Sequence, residues 1–301
     1  MDDAAPLIEL GKALRESRYS FTTITPASHE RVNARAGNEA ATSMRDVFGW
    51  SRPFDARILP PAWVELLRAS GALDETGPLL RSRVRFSTAG DELYIHSVFP
   101  TLESDAVFFG PDTYRYLSLL RRLRPSATRA VDVGAGSGAG GISIASSCSS
   151  VVLADINSLA LRYAAVNAAI NGTTNVHIVR SDVLAEIDGE FDLVISNPPY
   201  LADDHARVYR DGGGRFGEAL SIRIVRESIQ RLQRPGRLIL YTATAIVDDR
   251  DTFQDAVAPF LEGLTTRYEE IDPDVFGEEL ERDRYREVDR IAVVSLDVSV
   301  T

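Results

Sequence analysis

The stretch Phe191-Asp192-Leu193-Val194-Ile195-Ser196-Asn197-Pro198-Pro199-Tyr200 is a run of β-favouring apolar residues that ends abruptly in Asn-Pro-Pro-Tyr. Pro198 and Pro199 have a fixed φ and no N–H to donate, so the strand must stop there. Proline also pushes Asn197 out of the helical region. The expected result is a rigid turn at the carboxyl end of a buried strand, where open α/β sheets hold their ligands. An Asn amide offers an acceptor and two donors in one plane. The Pro198 carbonyl is left free, and Tyr200 offers a flat face. Two acceptors and a ring suit a flat –NH2 group. An ordinary proline turn with Asn as a turn residue would read the same way in isolation.

Outward from this stretch the chain alternates strand and helix from Thr128 onward. Strands are predicted at 128–133, 151–154, 176–180, 191–196 and 237–242, and helices at 138–147, 158–171, 217–232 and 250–261. That alternation predicts an α/β fold, a doubly wound, mostly parallel sheet with helices on both faces. Two further strands are predicted at 265–271 and 289–298, joined by a charged connection at 272–288.

Residues 1–105 read differently. Apolar residues at helical spacing run from Leu7 to Arg18 and from Asn38 to Trp50. Thr25-Pro26 is a helix start, with Thr25 as N-cap and Pro26 in the first turn. Pro60-Pro61 opens another helix, which Gly71 ends. Residues 81–87 and 92–99 alternate as a hairpin turning at Ala89-Gly90-Asp91. Arg81, Arg83 and Arg85 would share one hairpin face, either a solvated face or a substrate-binding stripe. The expectation is a smaller α+β, substrate-selecting domain over 1–105 and a cofactor domain over 106–301. Between them, Asp112 or Thr113 is expected to cap the helix running to Leu123.

Val131-Asp132-Val133-Gly134-Ala135-Gly136-Ser137-Gly138 is a strand entering a glycine turn and then a helix. Glycine permits the tight turn and lets a ligand approach the backbone. Gly134, Gly136 and Ala139 also satisfy the dinucleotide fingerprint, and Asp155, 21 residues after Gly134 at the end of the next strand, would hold ribose hydroxyls in either case. Asp182 ends the third strand, where a carboxylate can accept from an exocyclic amine or cap a helix.

In that order on successive strands, Asp132–Gly138, Asp155, Asp182 and Asn197–Tyr200 resemble the class I S-adenosylmethionine methyltransferases. The NPPY segment is most similar to that of the release-factor glutamine (amide-nitrogen) methyltransferases. Those enzymes also carry a Pro-x-x-Thr-type segment before the first strand, and Pro111-Asp112-Thr113 sits in the corresponding place. The resemblance implies a Rossmann-like sheet with an antiparallel last strand at 289–298. It implies S-adenosylmethionine as cofactor, with Gly134, Gly136 and Gly138 around its methionine part, Asp155 on the ribose and Asp182 on the adenine. Thr113 and Asp132 join the cofactor set. Asn197 and the Pro198 carbonyl would hold the target –NH2, with Tyr200 beside it.

The expected activity is methyl transfer to an amide or amino nitrogen of a protein or small molecule. Cyclisation of S-adenosylmethionine itself, as in azetidine-carboxylate synthases, is the alternative within the same cofactor class. A NAD-type oxidoreductase would share the glycine turn and Asp155 but gives no reason for NPPY. The formal net charge of −11 disfavours nucleic acid as the acceptor. Cys148 is the only cysteine, and no Cys/His cluster has metal spacing, so neither an internal disulfide nor a metal is expected. No apolar run approaches membrane-spanning length, and a cytoplasmic protein is the expectation. The segment after NPPY departs from the family: residues 201–217, with His205 and three consecutive glycines, read as a polar lid or a flexible connection.

Overall fold

A computed structural model describes residues 4–101, 103–203 and 207–301. Four helices open the chain: α1 (Ala4–Glu16), α2 (Pro26–Asn33), α3 (Met44–Phe48) and α4 (Pro61–Ala69). Short strands β1 (Leu73–Asp74) and β2 (Arg81–Ser82) pair with each other, and β3 (Val84–Ala89) and β4 (Glu92–Ser97) form the hairpin. The rest of the chain contains α5 (Pro111–Leu123), β5 (Ala127–Val133), α6 (Ala139–Ile144), β6 (Cys148–Asp155), α7 (Ser158–Ile170), β7 (Val176–Arg180) and β8 (Phe191–Ser196). It continues through α8 (Ala219–Arg231), β9 (Leu232–Val247), β10 (Arg250–Asp251), α9 (Thr252–Val257), β11 (Thr265–Asp272) and β12 (Arg290–Val300).

The main sheet has the order β11-β12-β9-β8-β5-β6-β7, with β10 on the side of β9. β5, β6, β7, β8 and β9 run parallel, and β12 is antiparallel to both β9 and β11. The two-residue period of the strands splits their side chains between two cores. Ala130, Leu193, Ile195 and Ile239 pack under α5, α6 and α7. Val131, Val194, Leu238 and Leu240 pack under α8 and α9. The doubly wound α/β architecture with an antiparallel last strand is therefore present.

A third core joins the N-terminal segment to the sheet domain. Leu7, Leu10, Leu14, Phe48 and Phe86 pack with Ala160, Tyr163, Val166 and Ile170 of α7, while Ala164 and Ala168 of the same helix face the sheet. α7 is apolar on nearly all sides because both faces are buried. Gly11 of α1 lies so close to Ile170 that a Cβ would sit 2.2 Å from its side chain. Asn167 and Asn171, one helical turn apart, hydrogen-bond the backbone of Ile95 and Leu93 on β4.

Local expectations hold where a single residue dictates the geometry. Thr25 caps α2 through its side chain, which accepts from the Ser28 N–H, with Pro26 following. Others change. The 38–50 stretch forms only the five-residue α3, capped by Ser43. Gly110, not Asp112 or Thr113, is the N-cap of α5, and Thr113 Oγ1 instead accepts from the Gly110 N–H at 3.3 Å. The arginine stripe does not form. Arg81 belongs to β2 and Arg83 is exposed, whereas Arg85 is buried and donates to the Gly49 carbonyl at 3.0 Å. Burial lowers its guanidinium to about 10. Cys148 begins β6 and is half-buried.

Candidate active site

The carboxyl ends of β5, β6, β7 and β8 open into one cavity of about 800 Å³. Its walls include Thr113, Asp132, Gly134, Gly136, Asp155, Asp182, Asn197, Pro198 and Tyr200. Gly138 is the sequence-predicted site residue that does not line it. A Cβ there would sit 3.1 Å from the Ala164 Cβ and 3.2 Å from Leu153, so this glycine lets α6 pack against α7 and β6.

The glycine turn is built by backbone geometry. Gly134 and Gly136 have φ of +67° and +54°, a region glycine enters without strain. A Cβ on Gly136 would meet nothing within 4 Å, so its face is open to the cavity. Its N–H donates to Asp155 Oδ2 at 2.9 Å, and the Asn157 N–H donates to Oδ1 at 2.8 Å. Each carboxylate oxygen of Asp155 keeps a second lone pair for a ligand hydroxyl. Burial raises the Asp155 carboxyl, and these backbone N–H groups pull it back down. Asp132 lies beneath the turn, fully enclosed, and accepts from the Gly141 N–H at 2.7 Å. Burial pushes its carboxyl up to about 7, and the Asp155 charge adds to that. Asp182 is exposed at the rim, with Oδ1 ion-paired to Arg223 of α8 at 2.7 Å. It caps no helix.

On the other side of the cavity lies the Asn-Pro-Pro-Tyr turn. Asn197 Oδ1 is buried and has no hydrogen-bond partner among the described residues. A buried acceptor without a partner loses its water and gains nothing back, a cost of about 1–3 kcal/mol. Its retention at a cavity wall points to a donor that arrives with the ligand. The Cα of Pro198 sits 3.8 Å from where a Cβ on Gly134 would be, so the turn and the glycine loop face each other.

Sequence reasoning missed Asp112 as a site residue because it reads as a helix cap. The structure buries it on the cavity wall, its Oδ1 accepting from the Tyr241 hydroxyl and from Arg115, each at 3.2 Å. Leu240 pairs with Ser196 across β9 and β8, which brings Tyr241 level with Asn197. Phe276 was also missed; its ring lies 6.1 Å from Tyr200. The N-terminal segment contributes the start of α2, with Thr25, Pro26 and Glu30 at the cavity mouth.

The described residues after NPPY are held by distant partners. Asp203 is buried and paired with Arg207, Arg210 also pairs with Glu279, and Tyr209 stacks on Phe108 with the rings 7° from parallel. Leu201 and Gly212 bond backbone to backbone, and Gly217 lies where a Cβ would sit 2.4 Å from the Tyr200 carbonyl. The consecutive glycines thus serve close backbone packing in part. Val208, Tyr209 and Arg210 roof the cavity. His205 lies outside the described residues.

Comparison with known proteins agrees with this geometry. Residues 116–250 match the family model Methyltransferase small domain. The chain is 31% identical over 183 residues to a release factor glutamine methyltransferase of Lactococcus lactis subsp. lactis, covering 56% of this chain and 65% of that protein. It is 37% identical over 113 residues to a ribosomal protein L11 methyltransferase of Thermotoga neapolitana, covering 36% and 42%. The chain thus spans less than two thirds of these relatives. Among solved structures, the M. jannaschii tRNA m1G37 methyltransferase superposes with a TM-score of 0.50 at 15% identity, over 73% of this chain and 57% of that one. That likeness is one of fold. The expectation that nucleic acid is disfavoured finds no support in these comparisons, and the relatives named here give none to the cyclisation alternative. Among the described residues no helix is long and apolar enough to cross a membrane. The open glycine face and the twofold-bonded Asp155 fit the cofactor of this fold. Residues 116–250 are therefore similar to a methyltransferase small domain, on the class I methyltransferase fold whose cofactor is S-adenosylmethionine.

Proposed function

We propose that the protein transfers a methyl group to an amide or amino nitrogen of a protein or small-molecule acceptor. The observation that carries this reading is the buried, unpartnered Asn197 Oδ1 beside the glycine turn. S-adenosylmethionine supplies an electrophilic methyl group; the chain supplies position and electrostatics. Gly134 and Gly136 admit the methionine part, Asp155 accepts from the ribose hydroxyls, and Asp182 accepts from the adenine amine. Asn197 Oδ1 and the Pro198 carbonyl accept from the N–H groups of the acceptor. Those bonds aim the nitrogen and raise its electron density. Tyr200 packs against the acceptor. Residues 1–105 select the acceptor, a role supported by the start of α2 at the cavity mouth.

The test is Asn197→Ala. The variant should bind S-adenosylmethionine with wild-type affinity and lose turnover roughly a hundredfold or more, because only aiming and polarisation are removed. Methyl-labelled S-adenosylmethionine incubated with cell extract reads the turnover. Wild-type incorporation by the variant would remove Asn197 from the mechanism.

A further inference from the structure

Four elements converge on one side of the cavity. Asn197 and the Pro198 carbonyl end β8, Tyr200 follows them, and Asp112 stands in the first turn of α5. Tyr241 of β9 donates to Asp112, and the Tyr200 ring lies 6.5 Å from that of Tyr241. The groups that face the acceptor are thus mostly oxygen acceptors. A carboxamide –NH2 has two N–H groups, and Asn197 Oδ1 and the Pro198 carbonyl satisfy both. A carboxamide also brings a carbonyl oxygen that needs a donor. Arg115 is engaged with carboxylates, one terminal nitrogen binding Asp112 at 3.2 Å and the other Asp272 at 2.9 Å, so the buried, unpartnered Tyr116 hydroxyl of the same helix is the donor left for such an oxygen, and a carboxamide leaves the Asp112 carboxylate unmatched. A primary ammonium has three N–H groups and no acceptor. It matches Asn197, Pro198 and Asp112 one for one.

Charge and ring geometry agree. Arg115 bridges two carboxylates, and Arg210 lies between Asp203 and Glu279. Asp274 and Glu278 add two further acids to the same wall, while Glu30 and Arg31 offset each other at the mouth. The rings of Tyr200 and Phe276 stand at 54° to each other on this wall, an arrangement that favours a cation over the ring faces.

We propose that the acceptor is an amine received as its ammonium ion, and that Asp112 takes the proton the nitrogen must lose. This rests on the methyl-transfer reading above. One N–H bond of the ammonium breaks and one O–H bond forms on Asp112. The cation becomes a neutral amine with a free lone pair, the carboxylate becomes a neutral acid, and total charge is unchanged. Burial already raises the Asp112 carboxyl, against the opposing pull of Arg115, Tyr241 and Tyr200.

Two probes of equal length separate the acceptor classes: n-butylammonium chloride and butyramide, titrated by NMR into the full chain loaded with S-adenosylhomocysteine. The wild-type protein should bind butylammonium at least tenfold more tightly than butyramide. Asp112→Asn should weaken butylammonium binding about tenfold or more and change butyramide binding by less than twofold. Equal binding of the two probes by the wild-type protein, or unchanged butylammonium binding in the variant, would overturn the assignment. The wild-type ratio stands even if the variant folds poorly. Calorimetry of S-adenosylhomocysteine with the wild-type protein comes first. No binding there would overturn the methyl-transfer reading and this inference with it. Binding without an ammonium preference overturns this inference alone.

Discussion

The Asn167 side chain pairs with the backbone of Ile95 as a neighbouring strand would: its Oδ1 accepts from the Ile95 N–H at 2.6 Å, and its Nδ2 donates to the Ile95 carbonyl at 3.1 Å. The same Nδ2 donates to the Ser137 carbonyl in the glycine turn at 2.8 Å. One fully buried amide on α7 thus ties the N-terminal hairpin to the loop that receives the cofactor.

Asn167→Leu leaves three buried backbone groups without partners. At about 1–3 kcal/mol per group, partly relieved by relaxation, the loss should be about 3 kcal/mol or more in urea unfolding. Asn171→Ala should cost less, because Asn171 is only partly buried and solvent can replace it. Equal costs for the two variants would contradict the strand-mimic account.

The glycines of the turn divide by role. Gly136→Ala meets open space and should cost only about 1 kcal/mol of stability from its positive φ, yet weaken S-adenosylmethionine binding. Gly138→Ala adds crowding against Ala164 and Leu153 to the same backbone cost, and should be the more destabilising of the two. Thermal unfolding and calorimetry of both variants check the division.

Asp155→Ala removes charge-assisted bonds to the ribose hydroxyls. Affinity for S-adenosylmethionine should fall by about 2–3 kcal/mol, a factor of roughly 30 to 150. Unchanged calorimetric affinity would move the ribose elsewhere.

Asp132 supplies a pH signature. Its carboxyl titrates near 7 in the folded chain, above its unfolded value of 3.8. Between those values the folded state binds the extra proton, so stability from this group is complete below about pH 4 and declines as pH rises towards 7. Asp132→Asn should therefore gain on the wild-type protein over that window, by on the order of 2–4 kcal/mol, while still accepting from Gly141. Urea midpoints of both proteins between pH 4 and 8 measure the difference. A constant gap would contradict the raised carboxyl.

How much was legible in the sequence follows from the range of the forces involved. β7 and β8 begin and end at the predicted residues, because apolar runs bounded by turn residues are local signals. The glycine turn and Asn-Pro-Pro-Tyr were legible because each fixes its own backbone. The double burial of α7 was not, since an apolar helix does not say which partner covers its second face. Asp112 was hidden for a similar reason: its role comes from Tyr241, 129 residues away in sequence. Arg85 was misplaced because strand alternation names two faces but not which one α3 covers. Ala202 and Arg210 looked loose because their contacts are to distant partners, Tyr285 and Glu279.

In the proposed reaction the spent cofactor has given up its methyl group to an external nitrogen. Chromatography of the adenosyl product after turnover with cell extract tests it directly. S-adenosylhomocysteine should form with the wild-type protein and fall roughly a hundredfold or more with Asn197→Ala; methylthioadenosine as the product would contradict methyl transfer.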